Sequence, residues 1–98
     1  MDYVSPESQA VVVEAERRIQ ALPPQAGVLF VSAEAVPTRS GPSTNFKVVL
    51  GMERRFDRGT GIALVRTVLA KEINRGLIFD IHVFRGVRGS GRDEGSSA

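Results

Sequence analysis

The chain has no cysteine and no tryptophan, and only one histidine and one tyrosine among its 98 residues. Without cysteine there can be no disulfide, no thiolate–metal cluster and no thiol nucleophile, so the core must hold by packing alone. With His82 as the sole histidine, a histidine-rich metal site cannot be built within one chain. No run approaches the roughly 20 apolar residues of a membrane-spanning helix. The opening MDYVSPESQ lacks the basic and apolar regions of a secretory signal. These absences predict a cytoplasmic protein with no membrane segment, metal or cofactor.

What is present fits one small globular domain: 42% of the residues are hydrophobic and 24% charged. Charge is polarised along the chain. From Met1 to Pro37 five acids face two bases, a net −3, whereas from Thr38 to Arg92 eleven bases face four acids, a net +7. Arginine outnumbers lysine 11 to 2, which base composition of a genome can explain as well as a need for bidentate contacts.

SPESQAVVVEAERRIQALPP carries a helix-start signature: Ser5 to cap, Pro6 at the first helical position and Glu7 in the first turn. Val11, Ala15, Ile19 and Leu22 share a stripe, and Pro23-Pro24 stops the helix, which is predicted over about 6–22. GVLFVSAEAVP reads as a first strand with Leu29, Val31, Ala33 and Ala35 inward. The breakers in PTRSGPSTN predict a long loop over 37–45, either a lid or a plain connection, with Ser40, Ser43 and Thr44 open to modification. FKVVLGM is the second strand, with Phe46, Val48, Leu50 and Met52 inward. TGIALVRTVLAKEINRG is a single second helix, with Ile62, Val65, Leu69 and Ile73 at helical spacing and Gly76 just past its end. LIFDIHVFR is the third strand, with Leu77, Phe79, Ile81 and Val83 inward. The tail GVRGSGRDEGSSA is rich in glycine, serine and charge. It is expected to be disordered, giving one domain over 1–87 and a tail over 88–98.

The order α-β-β-α-β predicts an α+β two-layer sandwich: a three-stranded sheet with two helices on one face, provided the crossover is right-handed. KH-type nucleic-acid modules and ring-building modules of secretion machinery share this order, but the chain carries no sequence motif of either.

The alternation leaves Val28, Phe30, Ser32, Glu34, Val36, Lys47, Val49, Gly51, Ile78, Asp80, His82 and Phe84 on the open face of the sheet. A solvated face should be mostly polar. Here Val28, Phe30, Val49, Ile78 and Phe84 can form an apolar patch beside His82, which predicts an interface with a second copy or a protein partner. Two His82 side chains meeting across a two-fold axis would make such an assembly pH-sensitive.

The alternative site is RRFDRGTG at residues 54–61. Arg54, Arg55 and Arg58 supply positive charge, and Gly59 and Gly61 allow close approach to the first amides of the second helix, where a phosphate could sit. The stretch matches no phosphate-loop or dinucleotide fingerprint, and a KH clamp would need GxxG. The simpler reading is that Asp57 or Thr60 caps the helix and the arginines are solvated. Arg85, Arg88 and Arg92, interleaved with glycine, extend this alternative to nucleic acid, with Phe30, Phe56 and Phe84 as stacking platforms. Asp80 and His82 sit two apart on one strand face, as a general base and its orienting acid would, yet no nucleophile accompanies them. A non-catalytic interaction module is therefore the first expectation and a small nucleic-acid or phosphate-binding domain the second.

Overall fold

The computed structural model describes residues 4–38 and 44–86. Helix α1 runs Pro6–Gln20. Ser5 caps it as the sequence implies, accepting the Ser8 backbone N–H at 3.1 Å, with Pro6 at the first position. Its buried stripe is Val12, Ala15 and Ile19, with Val11 only half-buried. A short 3-10 turn at Pro24–Ala26 ends at Gly27, whose φ of 76° lies in the left-handed region. Strand β1 then runs Val28–Pro37 and strand β2 Thr44–Met52. Helices α2 (Arg58–Val68) and α3 (Ala70–Asn74) lead to strand β3 (Ile78–Arg85).

The sheet order is β1-β2-β3, with β1 antiparallel and β3 parallel to the central β2. This is the predicted α+β arrangement, an open mixed sheet in the order α-β-β-α-β, with the second helix divided in two. Phe46, Val48, Leu50 and Met52 of β2 are almost wholly buried, as the alternation required. Val48, Leu50 and Met52 pack with Ala15 and Ile19 of α1, Val65 of α2, Leu69 and Val83. Phe46 stacks on Phe79 of the neighbouring strand, ring centroids 5.1 Å apart. Gly61 brings α2 close to the sheet. A Cβ built there would lie 2.9 Å from Val83 Cγ1 and 3.3 Å from Met52 Cγ.

Three local features depart from expectation. A β-bulge at the start of β1 pairs Val28 with Met52 and Phe30 with Gly51, which leaves Leu29 as an extra residue. The extra residue reverses the alternation before it: Val28 turns to the core and Leu29, expected inside, is 47% exposed. The connection between β1 and β2 is shorter than the predicted 37–45, because Pro37 pairs with Thr44 and Val36 with Asn45. Ser40 and Ser43, like the tail with Arg88 and Arg92, lie outside the described residues.

The second helix breaks at Leu69, whose φ and ψ are −102° and 21°. Hydrogen bonds from Leu69 N–H to the Val65 carbonyl and from Ile73 N–H to the Leu69 carbonyl, both 2.9 Å, carry the chain across the break. At this joint the guanidinium of Arg18 donates to the Val68 carbonyl at 3.1 Å and to Glu72 Oε2 at 2.5 Å. A side chain reaching into the ladder is a recognised cause of such a break. Past Asn74 the chain stops as Gly76 predicted. Gly76 has φ 95° and donates to the Ile73 carbonyl, while Leu77 N–H donates to the Glu72 carbonyl, the two bonds of a Schellman cap.

Candidate functional site

The register of the three strands places the open-face residues in cross-strand rows. Phe30, Gly51 and Phe84 form one row, Ser32, Val49 and His82 the next, then Glu34, Lys47 and Asp80, and finally Val36, Asn45 and Ile78. Apolar groups sit at both ends and charged groups in the middle. Ile78 is 60%, Phe84 51% and Phe30 40% exposed, so the large side chains expected on this face do meet solvent.

Gly51 explains how the first row is built. A Cβ at this position would lie 2.2 Å from Cε2 of Phe30, so the ring occupies the space above the glycine. The ring thus covers the glycine of the central strand, in the row that continues to Phe84. Val28, also expected on this face, does not belong to it, since the bulge turns it into the core. Val36, 40% exposed on β1 across Asn45 from Ile78, and Lys47, which stands between two acids, also belong to this face, though neither was among the expected contact residues. Beyond the bulge, Leu29 lines a groove of about 480 Å³ with Ile19, Leu22, Pro23, Pro24 and Val31.

On the same face His82 Nε2 lies 3.1 Å from Asp80 Oδ2, both side chains exposed. Ser32, the hydroxyl in the row of His82, is two strands away, roughly 10 Å by strand spacing. That is too far for the histidine to activate it.

The arginine-rich turn is built differently. Asp57 caps α2, its Oδ1 accepting the Thr60 N–H at 2.7 Å, and this backbone bond lowers the Asp57 pKa from its usual value. A carboxylate therefore already stands at the helix N-terminus, where an anion would have to bind. Arg55 pairs with Glu53 at 2.6 Å and lies over the Phe56 ring, 4.3 Å from its centroid. The Phe56 ring also packs on Gly27, where an added Cβ would be 2.1 Å from Cε2, which limits the ring as a stacking platform. Arg85 donates to the carbonyls of Phe56 and Arg54, at 2.6 and 3.0 Å, and so ties the end of β3 to the turn. Arg54 and Arg58 are exposed nearby, Gly59 is exposed, and Gly61 is consumed by helix–sheet packing. The structure brings Arg54, Arg55, Arg58 and Arg85 into one region but gives Arg55 and Arg85 internal partners.

Among the described residues no three histidine, cysteine or acidic side chains are grouped to hold a metal ion, and no helix is long and apolar enough to cross a membrane. Compared with known families, characterised proteins and solved structures, the chain matches none.

Proposed function

We propose that this chain is a non-catalytic interaction module that self-associates through the open face of its sheet. The observation that carries this reading is the exposure of Ile78, Phe84 and Phe30 on one face, with the Phe30 ring seated over Gly51. Apolar rings in a row on a sheet are what a docking surface needs: large contact area with few rotatable bonds to order. Val49 lies between the outer rows, and His82 with Asp80 supplies a polar group to fix orientation. The distance from His82 to Ser32 supports an orienting role over a catalytic one.

The experiment is the solution mass by light scattering across a dilution series, for the parent chain and for Phe30→Glu. Phe30 stands outside the core, so the variant should fold with an unchanged far-UV spectrum. A dimer or larger assembly that collapses to monomer in Phe30→Glu is the expected result. A parent chain that is monomeric at every concentration refutes self-association. An assembly indifferent to Phe30→Glu refutes this face as its seat.

A further inference from the structure

The open face is one surface of the sheet; the outer edge of β3 is another, and it carries its own signal. From Ile78 to Phe84 the strand reads IFDIHVF. Laid antiparallel against itself about Ile81, this string is self-complementary. Ile78 meets Phe84 of a second copy, Phe79 meets Val83, Asp80 meets His82, and Ile81 meets itself. We infer that β3 pairs edge to edge with β3 of a second copy, joining two three-stranded sheets into one of six strands.

Hydrogen-bond parity agrees with this register. Gly86 N–H donates to the Met52 carbonyl at 3.0 Å, so the even-numbered residues of β3 direct their main-chain groups to β2. Phe79, Ile81 and Val83 then direct theirs outward, and about Ile81 they meet one another as hydrogen-bonded pairs. The even pairs, Ile78 with Phe84 and Asp80 with His82, become the non-hydrogen-bonded pairs, in which side chains stand closer. All of these even residues lie on the open face, where Ile78 and Phe84 are the two most exposed large apolar side chains. Within one chain Asp80 and His82 already lie 3.1 Å apart, and pairing would bring two such couples together with opposite groups facing.

The other edge of the sheet is treated differently. On β1 the Ala33 N–H donates to Glu16 Oε2 of α1 at 2.8 Å, which occupies that edge at its centre. Among the described residues no side chain bonds to the outward main-chain groups of β3. The helical layer leaves room as well. Val83 is 7% exposed beneath Gly61, whereas Phe79 and Ile81 on the same side are only half-buried. Antiparallel pairing sets the covered end of one strand beside the open end of the other. A second copy is thus the occupant, by its charge pattern and by its pattern of cover. This inference uses the edge and stands whether or not the face is an interface.

The test compares the parent chain, His82→Asp, and the double exchange Asp80→His with His82→Asp, by sedimentation velocity up to protein concentrations on the order of 1 mM, as a small interface requires. His82→Asp sets two carboxylates opposite one another and should raise the dimer dissociation constant at least about tenfold, whereas the exchange again sets an imidazole opposite each carboxylate and restores most of the affinity. Amide hydrogen exchange supplies the second readout. Protection at Phe79, Ile81 and Val83 should rise with protein concentration, while Asp80 and His82 amides, bonded to β2, should be protected at all concentrations. A chain monomeric throughout overturns the inference. So does a dimer lost in Phe30→Glu but unaffected by His82→Asp and without concentration-dependent protection at the odd residues, which would place the contact on the face alone.

Discussion

Arg18 joins three helices, and removing it should cost more than any other charged side chain described. Its guanidinium donates to Glu72 Oε2 and to the Val68 carbonyl, and its Nε lies 3.3 Å from Glu14 Oε2, close enough for an ion pair but not aligned as a hydrogen bond. Glu72 is 9% exposed and its Oε1 has no hydrogen-bond partner, so it depends on Arg18 to remain charged in place. Arg18→Ala leaves that carboxylate and the Val68 carbonyl without their donor. A buried pair broken on one side costs about 3–5 kcal/mol; because the Arg18 side chain retains 28% exposure, about 2 kcal/mol is expected. For a domain of this size that corresponds to a fall of about 10 °C in Tm. Glu72→Gln, which keeps a hydrogen-bonding side chain, should cost less. Burial pushes the Glu72 carboxyl up, but the Arg18 hydrogen bond and nearby charge outweigh it and leave the pKa lowered. The advantage of the parent over Glu72→Gln is therefore complete above the ordinary glutamate value and is lost as pH falls below it through the lowered folded value. Urea unfolding of both variants from pH 7 to 3 measures this. An Arg18→Ala change below about 0.5 kcal/mol, within the range of an ordinary surface substitution, would refute the reasoning.

Gly61→Ala and Gly59→Ala should have opposite signs in the same unfolding assay. The first drives a methyl into Val83 and Met52 and should destabilise by about 1–3 kcal/mol. The second meets only Asp57 Oδ1 at 3.6 Å and should stabilise by about 0.5 kcal/mol, through helix propensity. Gly27→Ala combines a positive φ with a collision against Phe56 and should lose about 2–3 kcal/mol, read as a lower urea midpoint. The nucleic-acid alternative is tested with Arg54→Ala and Arg55→Ala together, titrated with a single-stranded oligonucleotide. That reading expects weaker binding and a salt slope reduced by about 1.4, while unaltered titrations would remove the turn as a binding site.

The element order was legible in the sequence because its signals are local. Ser5 and Pro6 mark a helix start, Gly76 marks a stop, and β2 alternates without interruption from Phe46 to Met52. Where local signals failed, the deciding contacts were distant in sequence. VLF at residues 28–30 is apolar throughout, so no alternation in it shows which side chain the bulge releases. The break at Leu69 has neither glycine nor proline to announce it; its partner is Arg18, about 50 residues earlier. Nothing in the local run AKEIN marks Glu72 as buried; only the meeting of α1 with the α2–α3 joint makes it so. On the open face Phe30, Ile78 and Phe84 were legible from alternation, while the seat that Gly51 gives to Phe30 required the register.

The mixed sheet also sets an order of events. Pairs between β1 and β2 join residues 7 to 24 positions apart, from Pro37 with Thr44 to Val28 with Met52, whereas every pair between β2 and β3 spans 33. Closing the longer loop costs about 1.4 kcal/mol more than closing the shortest hairpin contact. The hairpin can therefore form as an early ribbon, and β3 is expected to join it later. If β3 pairs with a second copy as inferred, its strand-long complement is another copy of itself. During synthesis or after partial melting, crowding of nascent chains would thus set intermolecular capture of β3 in competition with docking onto its own β2. How fast the crossover helices deliver the strand would then decide how much of the protein matures as separate molecules.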